Sequence, residues 1–266
     1  MTNDSQNRLQ LNDGHQMPLI GYGTSGISDN EAAELVFQAI MHGYRLFDTA
    51  SWYKNEVGVG QGIQRAIDEG VAREEIFVVS KLWPDEMGYD ETKEAFNRSF
   101  DRLGLTYIDL YLIHWPNEEA AKNVDTWRAM EELRETGRVK SIGVSNFNQD
   151  HLKQLFESSD VKPAANQIPI YPSEPNAELT AFCLEHGIRP IGYSPLGKGD
   201  VHQNETLLEI GEKYGKTPAQ IALKWSITTG AVPIPKTSHE GRMKENLDIF
   251  DFELTSEDMA RIKENN

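Results

Sequence analysis

LIGYGTSGISDNEAAELVFQAIMHGYRLFDTA, residues 19–50, decides how the rest of the chain is read. It opens on a short apolar run, Leu19 to Gly23, crosses a glycine-rich loop, and becomes apolar again from Tyr44 to Ala50. Between the two runs Ala33, Val36, Phe37 and Ile40 recur at helical spacing. Ser28-Asp29-Asn30-Glu31 reads as a capping box that starts this helix, and Gly43 as its stop. Two folds use such a strand–helix–strand unit. Gly21-Tyr22-Gly23-Thr24-Ser25-Gly26 matches G-x-G-x-x-G with Asp48 about 20 residues on, as in a doubly wound dinucleotide-binding sheet. In that fingerprint the third glycine sits where the helix packs on the strand. Here the cap starts the helix near Asp29, past Gly26, so the glycines belong to strand and loop, and the match is read as chance.

Outward from this unit, apolar runs recur at 76–83 (IFVVSKLW), 107–115 (YIDLYLIHW), 139–146 (VKSIGVSN), 164–170 (AANQIPI), 189–196 (RPIGYSPL) and 231–237 (AVPIPKT). Several show little polar alternation, as parallel strands buried on both faces do. Helical patterns lie at 92–104, 123–137 and 217–230, with one more at 256–263. Upstream, Asn12-Asp13-Gly14 between Leu9–Leu11 and Met17–Leu19 predicts a β-hairpin. Eight βα repeats in 266 residues predict an α/β fold, a closed parallel (β/α)8 TIM barrel with an N-terminal β-hairpin, as a single domain over residues 1–266. No composition shift or Pro/Ser/Gly linker marks a boundary.

Composition excludes several functions. Lys plus Arg total 26 against 42 Asp plus Glu, a formal net charge of −16, which argues against a nucleic-acid partner. A single cysteine, Cys183, permits no intrachain disulfide and fits a reducing compartment, the cytoplasm. The first residues, MTNDSQNRLQ, have no apolar core of a secretory leader, and no apolar run approaches the ~20 residues of a membrane span. No nucleophile elbow, H-E-x-x-H or cysteine cluster is present, and no metal is expected.

In a barrel of this kind chemistry sits at the carboxyl ends of the strands. Asp48, Lys81 and His114 end the second, third and fourth runs, and Tyr53 follows Asp48 in the next loop. Asn146, Gln167, Tyr193 and Lys236 fall near the ends of the fifth to eighth. Singly, each has an ordinary explanation: a hydrogen-bonded core histidine, a lysine reaching solvent, an aspartate capping a helix. Their convergence on one face favours function. A phenol is a poor acid at neutral pH. An adjacent ammonium favours its phenolate, and an aspartate would hold that ammonium in place. Asp48, Tyr53, Lys81 and His114 therefore suit proton donation to a carbonyl under reduction. At the last strand, Lys236 precedes Thr237-Ser238-His239-Glu240, which reads as a capping box, and Arg242 follows in the first helical turn. A lysine, the free amides of a helix start and an arginine make an anion site.

These residues together resemble the aldo-keto reductase family over nearly the whole chain. FDTASWYKNE (47–56), VSKLW (79–83), LIHWP (112–116), GVSNF (143–147), NQI (166–168), YSPLG (193–197) and IPKT….R..EN (234–246) occur in family order. The resemblance implies NADPH-dependent reduction of aldehydes, ketones or keto sugars, with Tyr53 as general acid, Lys81 and Asp48 tuning it, and His114 orienting the carbonyl. It implies that Ser145, Asn146 and Gln167 hold the nicotinamide carboxamide, that Tyr193 stacks on the ring, and that Thr24 and Asp48 lie near the same end. Ser194, Leu196 and Gly197 would follow the pyrophosphate, Lys236, Thr237 and Arg242 the 2′-phosphate, and Glu245 and Asn246 the adenine. Ser25, Trp52, Trp83, His114, Trp115 and Phe147 would wall the substrate pocket, the aromatic residues alternatively packing loops on the barrel rim. Lys54, Pro169 and Tyr171 depart from the family pattern, and little sequence follows the last predicted helix, which suggests an open mouth. The likeness is to short bacterial members that reduce small aldehydes, keto sugars or diketo acids, and it makes a monomer the default. A non-catalytic NADPH-binding module and a dehydrogenase built on Gly21, Gly23 and Gly26 are the competing readings.

Overall fold

A computed structural model describes residues 7–265. Residues 1–6, most of the stretch read for a leader, and residue 266 lie outside the described residues. Strands β1 (Arg8–Gln10) and β2 (Gln16–Pro18) form the antiparallel hairpin, with Leu9 opposite Met17. Eight parallel strands follow in one sheet: β3 (Tyr22–Gly23), β4 (Leu46–Asp48), β5 (Phe77–Leu82), β6 (Ile108–Ile113), β7 (Val139–Ser145), β8 (Ala165–Pro169), β9 (Arg189–Tyr193) and β10 (Val232–Pro233). Each overlaps one of the eight apolar runs.

Helices α1 (Asp29–Met41), α2 (Glu56–Asp68), α3 (Tyr89–Leu103), α4 (Ala120–Glu135), α5 (Gln149–Ser158) and α6 (Ala177–Glu185) connect successive strands. Between β9 and β10 run a 3-10 segment (Gly197–Gln203), α7 (Glu205–Tyr214) and α8 (Pro218–Thr228). After β10 come α9 (Glu240–Leu247) and α10 (Ser256–Glu264). Helix α1 starts at the expected cap: the Ser28 backbone N–H donates to the Glu31 carboxylate at 3.4 Å. No helix among the described residues is long and apolar enough to cross a membrane.

The sheet closes on itself. The Gly21 N–H donates to the Pro233 carbonyl at 2.9 Å and the Gly23 N–H to the Pro235 carbonyl at 3.0 Å, joining the first strand to the last. This gives the glycine motif its place. A Cβ on Gly21 would lie 2.1 Å from the Leu46 side chain and 2.8 Å from that of Ile234, so the seam needs a residue without one. The dinucleotide fingerprint is therefore a barrel seam, and the doubly wound alternative falls.

Strand periodicity organises the interior. Alternate residues face inward, and Leu46, Phe77, Val79, Leu110, Leu112, Ala165, Ile191, Val232 and Ile234 form one buried cluster, plugged by Leu11 and Met17 of the hairpin. A second, larger cluster between sheet and helices includes Tyr22, Phe47, Val78, Tyr111 and Val144 from the outward positions. Two residues beyond the last inward apolar side chain, the same strand face delivers a different one: Leu46 is followed by Asp48, Val79 by Lys81, Leu112 by His114, Ala165 by Gln167, Ile191 by Tyr193 and Ile234 by Lys236. The alternation that fills the barrel thus lays a polar layer over it.

Candidate active site

Ladder register brings the polar layer together. Asp48 pairs with Val79 and Lys81 with Leu112, so Lys81 stands one inward step above Asp48 on the neighbouring strand. Its ammonium reaches back to donate to Asp48 Oδ1 at 2.6 Å and to the Thr49 carbonyl at 2.9 Å. The same nitrogen lies 3.3 Å from the Tyr53 hydroxyl. Gln167 Nε2 donates to the other Asp48 oxygen at 2.7 Å. Burial works most strongly against the Lys81 ammonium, but the charges and hydrogen bonds of Asp48 and Tyr53 together outweigh it, and the group is held above the ordinary lysine range.

The 3-10 turn Ser51–Tyr53 carries the phenol. Asn55 pins the segment around it: its amide donates to the Thr24 and Ile27 carbonyls at 2.9 and 3.0 Å, and its carbonyl accepts from the Thr49 hydroxyl at 2.7 Å. Lys54 between them takes a left-handed conformation, φ 55°, which L side chains adopt at a cost and which explains why glycine suits this position.

His114 stands edge-on to Tyr53, ring centroids 5.7 Å apart, and to Trp83 at 5.2 Å. Trp83 in turn stacks face to face on Trp52 at 4.0 Å. Burial first, and then the Lys81 charge, push His114 down to about 3, so its imidazole is neutral at physiological pH. The depressed value couples to stability. Between about pH 3 and the unfolded value near 6.5, the unfolded chain binds a proton that the folded chain refuses. Stability therefore falls on acidification through that window, by about 2.5 kcal/mol between pH 6.5 and 4.5. Urea unfolding of His114→Gln should show a flatter acid limb than the parent, and an unchanged limb would refute the assignment.

Asp48, Tyr53, His114 and Gln167 line a cavity of about 810 Å³ at the carboxyl ends of the strands, with Lys81 buried behind them. Ser25, Trp52, Trp83 and Trp115 also line this cavity, as do Lys236 and Arg242. Neither of these two cations has an ion-pair partner among the described residues. Along the wall, Asn146 is held in the left-handed region, φ 61°, by its amide donating to the His114 carbonyl at 2.9 Å. The Tyr193 hydroxyl donates to the Asn146 Oδ1 at 3.0 Å, and Ser145 Oγ to the Gln167 backbone carbonyl at 2.8 Å. Ser194, φ 51°, and Leu196 also line the cavity.

Several expected positions lie elsewhere. Phe147 is fully buried, edge-on to the His151 ring, and is not part of the cavity wall: it packs its loop onto the barrel. Thr24 is buried beneath the site, its hydroxyl donating to the Asp48 backbone carbonyl at 2.9 Å. Gly197 is not part of the cavity lining, and a Cβ on it would lie 3.1 Å from the Tyr171 ring. The capping box expected at Thr237 is not formed. The N-cap of α9 is His239, whose N–H donates to the Thr237 hydroxyl at 3.1 Å, so Thr237 is folded into the turn. Glu245 and Asn246 do not line the cavity either. The Glu245 carboxylate accepts from Thr217, the N-cap of α8, at 2.6 Å, and Asn246 is buried. Gly199 and His202 line the cavity without having been singled out. The sequence signal that could have found them is the pair of glycines, Gly197 and Gly199, a few residues past a strand end; both take positive φ here.

Barrel, hairpin and polar layer together define a carbonyl-reductase type of site, and comparison with known proteins agrees. Residues 19–266 match the model of the Aldo/keto reductase family, and the chain belongs to that family. It is accordingly an NADP(H)-dependent oxidoreductase. A glyoxal reductase of Bacillus subtilis is 46% identical over 263 residues, covering 98% of this chain and 94% of that protein. An aldo/keto reductase structure from Brucella melitensis superposes with a TM-score of 0.94 at 45% identity, over 97% of both chains. A Bombyx mori aldo-keto reductase, solved in complex with NADP, gives 0.91 at 38% identity, over 97% of this chain and 91% of that one.

Proposed function

We propose that this chain reduces small aldehydes and ketones, glyoxal-like dicarbonyls among them, with Tyr53 as the proton donor. The observation that carries the reading is the Asp48–Lys81–Tyr53 series, 2.6 and then 3.3 Å, beside a neutral His114 on the floor of a cavity.

The donor set fits a pyridine dinucleotide phosphate. The Gln167 side-chain oxygen has no partner among the described residues while its amide is spent on Asp48, so it can accept from a carboxamide. Ser145, Asn146 and Gln167 would hold that end, the Tyr193 ring would flank the base, and Ser194 and Leu196 would follow the chain. Lys236 and Arg242, two cations in no ion pair among the described residues of a chain of charge −16, would hold the 2′-phosphate. NADPH supplies the hydride when bound. The protein's own part is positioning and protonation. Neutral His114 can donate from its ring N–H to the carbonyl oxygen and fix its place. Tyr53 then gives its proton to that oxygen, and the Lys81 ammonium stabilises the phenolate left behind. Asp48 keeps Lys81 charged and aimed. Trp52, Trp83 and Trp115 keep water from the reacting carbon.

Depletion of NADPH absorbance by methylglyoxal or glyoxal tests the reading, and no turnover across a wide carbonyl panel despite NADPH binding would favour a binding module instead. Lys236→Ala and Arg242→Ala should each weaken NADPH by about 10- to 100-fold, the worth of a charge-assisted bond, while NADH changes about twofold. Equal losses for both cofactors, measured by fluorescence titration, would remove the 2′-phosphate assignment.

A further inference from the structure

The Trp52–Trp83 stack has two sides. One side walls the cavity described above. The same two indoles also line a second cleft of about 420 Å³, which the first does not enter. Apart from the apolar Val57, its other walls are polar: Asp29, Ser51, Lys54, Glu56, Asp85, Glu86 and Arg102. Parts of this lining are committed. Glu56 is 1% exposed, accepts from the Ser80 hydroxyl, and takes the Arg102 guanidinium on its other oxygen at 2.7 Å. Asp29 Oδ1 accepts from the Gly58 N–H at 2.8 Å. This rim is therefore fixed in place. Trp52 is different in kind. It is 54% exposed, and its ring contact is the face of Trp83. Trp83, by contrast, is also braced against His114.

We propose that Trp52 sets the size and chemical class of the carbonyl substrate by partitioning the reaction cavity from this polar cleft. With the indole in place, a carbonyl carbon at Tyr53 and His114 can carry only a short tail toward that side. Without it, the two spaces join, and a longer tail meets carboxylates, Lys54 and Arg102. Hydrogen-bonding walls favour a hydroxylated tail, because its oxygens find donors and acceptors there while an alkyl tail would desolvate those groups without repaying them. Open-chain polyhydroxy aldehydes, of the aldose type, are the class that the joined cavity would take. The inference rests on the proposed reductase reading, since turnover reports it.

The test compares Trp52→Ala with the parent on methylglyoxal, a hexose such as glucose, and hexanal, by kcat/KM with NADPH. Dividing variant by parent cancels the small open-chain fraction of the sugar. The hexose-to-methylglyoxal ratio should rise at least tenfold in Trp52→Ala, with hexanal gaining less than a third as much as the hexose. Trp52→Phe, which keeps a stacked ring, should fall between the two. An unchanged ratio would overturn the partition. An equal gain for hexanal would overturn the role of the polar cleft, because a wider mouth alone would admit both. Failure of the parent to reduce methylglyoxal would count against the reductase reading itself; acrylamide quenching in a Trp115→Phe background, where Trp127 and Trp225 are buried, would still report whether loss of Trp52 exposes Trp83 and opens the wall.

Discussion

Tyr53→Phe should lower kcat by about a thousandfold, the usual worth of a positioned general acid and about 4 kcal/mol in the barrier, while NADPH affinity stays within about twofold. The substitution removes one oxygen and keeps the ring that stands edge-on to His114. It also relieves Lys81 of only its longest contact, 3.3 Å against 2.6 and 2.9 Å to Asp48 and Thr49. Folding and cofactor binding should therefore survive, which makes the loss of turnover specific. Stopped-flow binding of NADPH alongside steady-state rates separates the two. Turnover retained at more than a tenth of the parent rate would move the proton donor elsewhere, with His114 the next nearest group. Such a transfer is disfavoured because a histidine held near 3 carries no extra proton to give at neutral pH.

The other large effect concerns stability. Lys81 and Asp48 are both essentially inaccessible, 0% and 3% exposed in their side chains. A buried pair contributes modestly as a pair, but removing one member strands the other, at a cost of about 3–5 kcal/mol. Lys81→Met should therefore destabilise the chain by that amount in urea unfolding at neutral pH, leaving Asp48 with the Gln167 amide and no cation. Adding Asp48→Asn to it should restore part of the loss, because an amide can keep the bond to Gln167 without a charge. A double variant no more stable than Lys81→Met would show that the methionine fits badly and that the stranded charge is not the cause. The comparison matters for the mechanism, since a site that spends a buried ion pair on orienting one ammonium is arranged for something other than stability.

Much of the site was legible because strand alternation has a period of two. Once Leu46, Val79 and Leu112 are read as inward, Asp48, Lys81 and His114 must be inward too, at the end where a barrel opens. What the alternation cannot specify is where a loop goes next. Phe147 follows Asn146, whose left-handed turn ends the alternation, so its burial could not be counted off from β7. Glu245 and Asn246 were read against a ligand, but Glu245 is claimed by the cap of α8, an element 17 or more residues back whose position depends on the whole helical ring. Helix α2 was unmarked because VGVGQG carries three glycines, poor helix formers. The fold explains them by proximity: a Cβ on Gly60 would sit 2.0 Å from the Leu103 carbonyl of α3. Close approach between helices was traded for local signal, and only the assembled barrel reveals the trade.

The seam between β3 and β10 is lopsided. Both strands are two residues long, and Pro233 and Pro235 accept from Gly21 and Gly23 but possess no N–H to return. The bonds across this joint therefore run from Gly21 and Gly23 toward the prolines, with no return from either proline. It is a natural place for the wall to breathe, since local opening begins where crossties are few. Gly23, Ile234, Pro235 and Lys236 of this joint also line the cavity. If Lys236 holds the cofactor's phosphate as proposed, residues on both sides of the gap would be tied through one bound molecule. Loading the enzyme with its reductant would then also be a mechanical act, supplying a crosstie that the two prolines cannot, and the empty barrel would be one with an unlatched stave.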